Sequence, residues 1–180
     1  SVFGADAPFI LTTVGGGSDG LHLALAAAAA TVPVGQNHLV VTGPQMEDED
    51  HAAVVEAGRP GTVVVRSVDG LSHHIAAASA VISMGGYNSV AEILATDTPA
   101  LVVPREAPRT EQLIRARDLA SAGALDVLRE PYLTPAAIGA WLSHAVVRRV
   151  DRSLIQRDGL SAVPHLAATL LADTNLEVVA

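Results

Sequence analysis

Phe9-Ile10-Leu11-Thr12-Thr13-Val14-Gly15-Gly16-Gly17-Ser18-Asp19-Gly20 is the stretch whose reading decides the fold. Its first six residues are apolar or β-branched without the alternation of a half-exposed strand, the pattern of a strand covered on both faces. The run breaks into glycines, and an alanine- and leucine-rich segment of helical composition follows over Asp19–Thr31. Strand, glycine turn and helix in that order open a unit of a parallel sheet.

The same grammar repeats along the chain. Further strands are predicted at His38–Thr42, Thr62–Val65, Ala80–Ser83, Ala100–Val103 and, from a weaker run, Leu125–Leu128. Helices are predicted at Asp48–Ala57, Leu71–Ala78, Ser89–Ala95 and Thr110–Ala122, then Pro135–Arg148 and Val163–Ala172. This series predicts an α/β fold: one doubly wound parallel sheet of about six strands with helices on both faces, a single domain over residues 1–180. Arg148–Arg157 is the one charged stretch and is expected to lead into a terminal helix that leaves the compact domain.

Composition narrows the chemistry. The chain is 49% hydrophobic with only two Phe, two Tyr and one Trp, so its core is aliphatic. Cysteine is absent, which removes disulfides, thiolate nucleophiles and cysteine metal sites. Lysine is absent too, and all eleven basic residues are arginine. Nucleotide-triphosphate P-loops and lysine Schiff bases are thereby excluded within this chain. A net charge of −8 argues against a nucleic-acid partner. No apolar run approaches the ~18 residues of a membrane span. Ser1 opens no basic, apolar, cleavable pattern, and a cytoplasmic location is the expectation.

Ligands of such sheets bind at the carboxyl ends of the strands, so the loops after the strands carry the information. Gly15–Gly20 reads either as a tight turn with Ser18 capping the helix, or as a phosphate loop whose backbone lies open to a ligand. After the fourth strand, Met84-Gly85-Gly86-Tyr87-Asn88-Ser89-Val90-Ala91-Glu92 again sets glycines before a helix start. Here Ser89 and Glu92 have the spacing of a capping box; the alternative is that Glu92 accepts both hydroxyls of a ribose. After the fifth strand, Pro104-Arg105-Glu106-Ala107-Pro108-Arg109-Thr110-Glu111-Gln112 ends in a carboxylate and an amide side by side. These either charge the helix start or read sugar hydroxyls.

The segment Gly16-Gly17-Ser18-Asp19-Gly20 resembles the Gly-Gly-Ser-x-Gly loop of the N-acetylglucosaminyltransferases that complete the lipid-linked peptidoglycan precursor. Gly86-Tyr87-Asn88-Ser89-Val90-Ala91-Glu92 is similar to the Gly-Trp-Asn-Ser-x-x-Glu core of plant secondary-product UDP-glycosyltransferases, and Glu111-Gln112 matches the acidic-residue-plus-Gln pair of that signature. The resemblance implies the donor-binding domain of a two-domain, GT-B glycosyltransferase. It places the diphosphate on Gly16, Gly17, Ser18, Gly86, Asn88 and Ser89, the ribose on Glu92 and the donor sugar on Glu111 and Gln112. The base falls on the Arg66–Asp69 loop, with Arg66 and Val68 as its candidate contacts. It further implies an inverting transfer from a UDP-sugar or another NDP-sugar to an acceptor hydroxyl, without a metal or other cofactor. The acceptor and the general base are expected from an amino-terminal domain, with no catalytic residue in this chain.

Two residues depart from the pattern. Arg66 stands where the plant enzymes stack an aromatic ring on uracil, although a guanidinium plane also stacks on a base. Met84 stands where they carry a diphosphate-contacting histidine. His73 and His74 are expected in solvent-facing or capping roles, and His22 near the cleft. Asp48-Glu49-Asp50-His51 reads as the acidic first turn of a helix rather than a metal site. A nucleotide-sugar epimerase of the same architecture and a non-catalytic nucleotide-sugar-binding module are the alternative readings.

Overall fold

The computed structural model of the chain describes residues 3, 7–16, 19–106, 110–155, 163–164 and 167–169. Strands and helices alternate: β1 (Phe9–Thr13), α1 (Leu21–Ala28), β2 (Asn37–Val41), α2 (Asp48–Ala57), β3 (Thr62–Val65), α3 (Leu71–Ala77), β4 (Ala80–Ser83) and α4 (Tyr87–Leu94). They continue through β5 (Ala100–Val102), α5 (Glu111–Ser121), β6 (Asp126–Val127), a 3-10 turn at Glu130–Tyr132 and α6 (Pro135–Ala145). Among the described residues the six strands form one sheet in the order β3-β2-β1-β4-β5-β6, and every neighbouring pair is parallel. The expected doubly wound sheet is therefore the observed one.

Each strand serves two cores because successive side chains point to opposite faces. Ile10, Val40, Ile82 and Leu101 pack with Leu23, Val54, Ile138 and Leu142, which places α1, α2 and α6 on one face. Leu11, Leu39, Val81 and Val102 pack with Ile75, Ile93 and Ala116, which places α3, α4 and α5 on the other. Burial on both faces is what removed polar alternation from the strand sequences.

Most boundaries fall within a few residues of expectation, and the exceptions have local causes. Helix α1 begins at Leu21, with Gly20 as N-cap, and ends at Ala28. A Cβ on Gly20 would lie 2.4 Å from the Val14 side chain, so the helix start is packed directly onto the end of β1. The expected Ser18 cap and half of the helix expected at Val163–Ala172 lie outside the described residues. Helix α6 starts as its sequence dictates: Pro135 opens it and the Thr134 hydroxyl accepts from the Ala137 N–H at 3.0 Å.

The charged stretch after α6 does not leave the domain at its start. Arg152 is only 5% exposed and donates to three main-chain carbonyls, Thr96 at 2.6 Å, Ala124 at 2.8 Å and Thr98 at 2.9 Å. Arg148 pairs with Asp126 and Arg149 with Asp97, so this segment ties the ends of α4, α5 and the start of β5 together. A rigid planar fork suits three fixed acceptors better than a lysine would.

One polar group sits in the middle of the sheet. His38 on β2 is fully buried, hydrogen-bonded through Nε2 to the Thr12 hydroxyl at 2.8 Å, while its Nδ1 has no partner. Burial lowers its pKa from 6.5 to about 4. Above pH 6.5 both folded and unfolded chains carry a neutral imidazole, and the residue adds no pH dependence. As the pH falls, the unfolded chain takes up a proton that the folded chain refuses until about pH 4. Urea unfolding should therefore show a loss of about 2 kcal/mol between pH 7 and pH 5 attributable to this group. In His38→Gln that part of the pH slope should vanish; an unchanged slope would place the acid sensitivity elsewhere.

Candidate functional site

The order of the sheet reverses between β1 and β4, and the crevice at such a switch point is where ligands of these folds bind. The two strands run in register, Thr13 opposite Ser83, so the loops after them leave the sheet at the same level. These are the two glycine loops. Val14, Gly15, Gly16, Asp19, Ser83, Met84, Gly86, Ser89, Arg105 and Gln112 line a single cleft of about 160 Å³ between them. The third loop thus joins the first two through Arg105 and Gln112.

Backbone geometry explains the glycines. Gly15 and Gly85 have φ of +73° and +77°, a region that favours glycine. A Cβ on Gly85 would also come within 2.5 Å of the Val102 side chain. Gly43, after β2, has φ +85°, and a Cβ there would lie 2.4 Å from the Gly15 carbonyl oxygen. The Gln45 N–H donates to the Gly16 carbonyl at 3.0 Å. The first loop is thus held from behind by Gly43 and Gln45, support that no motif announced.

Helix α4 begins at Tyr87 with Gly86 as N-cap, and no side chain caps it. Ser89 is therefore the third helical residue, and the capping box inferred for Ser89 and Glu92 does not form. Glycine in the cap position leaves the helix's first N–H groups uncovered by a side chain, as an anion site needs. Ser89 lies at the cleft wall, whereas Asn88 is exposed and outside the lining. Glu92 is half-buried one turn further along and also outside the lining. At the start of α5, Gln112 is in the cleft and its Oε1 accepts from the Arg105 main-chain N–H at 3.3 Å, while Glu111 is exposed. Gly17 and Ser18 lie outside the described residues.

The residues assigned to the base sit after β3, on the same edge of the sheet but away from the switch point. Arg66 donates to the Met46 carbonyl at 2.6 Å and pairs with Asp48. Val68 is half-buried against the core beneath α3. The acidic turn is also engaged, since Asp48 holds Arg66 and His51 is hydrogen-bonded to the Thr42 hydroxyl at 2.9 Å. Among the described residues no three His, Asp or Glu side chains gather as a metal site. His22 faces Glu130 at 3.5 Å, and the two help line a smaller space next to the cleft. His74 lies within 3.2 Å of the Gly70 carbonyl.

Two arginines of the site carried no role in the sequence reading. Arg115 lies one turn after Gln112 on α5. It donates to the Gly85 carbonyl at 3.1 Å, with its guanidinium 5.8 Å from the centre of the 75%-exposed Tyr87 ring. The three-residue helical spacing from Gln112 was the available signal. Arg105 pairs with Asp19 across the cleft, joining the third loop to the first.

A doubly wound sheet with two glycine-led helix starts at its switch point defines a Rossmann-like architecture. Comparison with known proteins narrows it. Residues 10–152 match the glycosyltransferase family 28 C-terminal domain, and the chain belongs to that family. The UDP-N-acetylglucosamine--N-acetylmuramyl-(pentapeptide) pyrophosphoryl-undecaprenol N-acetylglucosamine transferase of Salmonella typhi is 29% identical over 160 residues, 83% of this chain and 44% of that protein. The chain thus spans less than half the length of this curated relative. In fold it is similar to the calicheamicin glycosyltransferase CalG4, with a TM-score of 0.65, 24% identity and coverage of 79% of this chain and 35% of that one. It is similar also to Acinetobacter baumannii MurG, with a TM-score of 0.59, 23% identity and coverage of 87% and 46%. The fold is the Rossmann-like half of GT-B glycosyltransferases.

The glycine argument is open to direct measurement. Gly85→Ala should lower stability by about 2–4 kcal/mol, combining left-handed strain with the Val102 contact. Gly123 has φ +71° and open space around it, so Gly123→Ala should cost only the strain, about 1–2 kcal/mol. Equal losses in denaturant unfolding would mean that Val102 yields freely.

Proposed function

We propose that this chain is the donor-binding domain of a glycosyltransferase that moves a hexosyl group from a UDP-sugar or another NDP-sugar to an acceptor hydroxyl, inverting the anomeric centre without a metal. The observation that carries this is that both glycine loops, each leading into a helix with a glycine N-cap and no side-chain cap, line one cleft at the switch point. The described ends of those two loops, Gly16 with Gly86 and Ser89, suit a diphosphate through fixed N–H groups and helix dipoles. Gly17, Ser18 and Asn88 complete that contact set in the motif. Gln112, at the cleft wall, suits the donor sugar, with Glu111 beside it. Glu92 is assigned the ribose, because the capping role that competed with it is absent. Arg66 and Val68 are assigned the base edge. The Salmonella relative is named for transfer from UDP-N-acetylglucosamine, which makes that compound the first donor to try.

The proposal places the acceptor and the general base on a second lobe outside these 180 residues, acting from the cytoplasmic side of the cell. Described helices offer no span long and apolar enough to cross a membrane. Fixed dipoles stabilise charge on the leaving diphosphate without reorganising. The second lobe supplies the positioning of nucleophile and base that makes the reaction fast.

Calorimetry tests the reading. The chain should bind UDP or UDP-N-acetylglucosamine equally well with and without chelator, and should transfer nothing by itself. No binding to any of UDP, GDP, dTDP or their sugars would overturn it; binding that requires a divalent ion would overturn the metal-free assignment. A second test addresses Glu92. Glu92→Gln should weaken nucleotide binding by about 1.5–3 kcal/mol, as a lost charged hydrogen bond does. Unfolding should shift by no more than about 0.5 kcal/mol, because no cap is lost. Unchanged affinity would remove Glu92 from the ribose site.

A further inference from the structure

The cleft contains a charge arrangement that the motifs do not mention. Two oppositely charged side chains line it: Arg105, from the loop after β5, and Asp19, from the loop after β1. They pair with one another across the space between the glycine loops, with the Arg105 side chain 37% exposed and that of Asp19 50% exposed. Both also line the adjoining space that reaches His22 and Glu130. The Arg105 backbone is held separately, by its N–H on Gln112 Oε1, so its side chain can change partner without its main chain moving.

Resting on the donor-domain reading above, we propose that Arg105 is a diphosphate-binding residue and that Asp19 is the counter-ion it exchanges for the phosphate. A nucleotide sugar brings a dianion to a chain of net charge −8 that has no lysine. Helix starts supply only partial charges, and a half-exposed carboxylate at the same wall opposes the ligand. The one full positive charge among the described lining residues is Arg105. Its guanidinium presents a planar fork that matches carboxylate and phosphate oxygens alike. Diphosphate entry exchanges one oxyanion partner for another: Arg105 leaves Asp19 for the phosphate, and the half-exposed Asp19 carboxylate gives up that pairing. Neutralisation by this exchange needs no divalent cation. Asp19 then acts against the ligand, a competitor that keeps Arg105 ordered before the ligand enters and lowers affinity enough to favour release.

The two residues therefore have opposite effects on the same affinity, which no purely structural ion pair would show. The experiment is calorimetric titration of the wild-type chain, Arg105→Gln and Asp19→Asn with UDP, GDP, dTDP and the matching nucleosides, with melting curves as a folding control. For whichever diphosphate the wild type binds, Arg105→Gln should weaken binding about ten- to a hundredfold, the range of a charge-assisted hydrogen bond. Asp19→Asn should tighten it about three- to tenfold, and neither should change nucleoside binding. Both variants break the same half-exposed pair, so their melting temperatures should fall together and by little. Arg105→Lys should recover part of the loss through its charge alone. If the wild type binds a diphosphate and Arg105→Gln binds it equally well, Arg105 is not a ligand, while the donor-domain reading stands. If both variants weaken binding alike, the pair is a structural brace and the exchange is wrong. If the wild type binds no diphosphate, both the exchange and the donor-domain reading fall.

Discussion

The register between β1 and β4 is the constraint on which the rest of the molecule depends. Thr13 lies opposite Ser83, so two strands far apart in the sequence end at one level. Each is followed by a glycine at positive φ and then a helix start. Shifting a parallel pairing by one residue would turn every side chain to the wrong face. Here both faces are buried, with Ile10 and Leu11, and likewise Val81 and Ile82, assigned to opposite cores. The aliphatic interior thus enforces the alignment of two loops that themselves contain little apolar surface. Close packing makes that alignment stiff, and stiffness is what a site built from main-chain dipoles requires.

Supporting that register takes devices outside the two loops. Gly43 lets the loop after β2 approach the Gly15–Gly16 main chain, and Gln45 anchors it there. Arg115 reaches from α5 to the Gly85 carbonyl. At the far end of the sheet Arg152 gathers carbonyls of residues 96, 98 and 124, which the short strands β5 and β6 leave with little ladder of their own. A strand of three residues and one of two cannot be held by pairing alone. The family match ends at residue 152, so the clamp lies within the matched span.

What was legible in the sequence follows from which forces are periodic. Doubly buried strands leave continuous apolar runs, so Phe9–Thr13 and Ala80–Ser83 were readable to within a residue. Glycine loops after strands were legible for the same reason, since positive φ leaves a residue signature. Caps were not. Ser89 and Glu92 have capping-box spacing, yet Gly86 caps α4, because a loop hugging β4 enters the helix three residues earlier. Arg105, Arg115 and Arg152 were silent because their partners lie on other elements. Such pairings depend on the sheet order β3-β2-β1-β4-β5-β6, which one-dimensional spacing does not encode. Asn88 and Glu111 show the converse: their motif positions match, while the described cleft has Ser89 and Gln112 at its wall.

Different parts of the site are therefore under different control. The turns at Gly15, Gly43 and Gly85 make steric demands on the sequence: glycine where φ is positive and where a Cβ would intrude. Side chains add to this in two places: Arg66, fixed by Met46 and Asp48, and Val68, pressed on the core, lie after β3, while Arg105 bound to Asp19 lies in the cleft itself. Changing any of these alters charge or shape without disturbing the two strands beneath, because none of them belongs to the buried faces that set the register. A fold arranged this way can keep its glycine turns while these side chains diverge. Met84 fits the same logic: it is half-buried at the cleft and packed against the first core, so it puts an apolar side chain at the cleft wall. With an apolar residue there, Arg105 is the one full positive charge among the described residues lining the cleft of a lysine-free, strongly acidic chain.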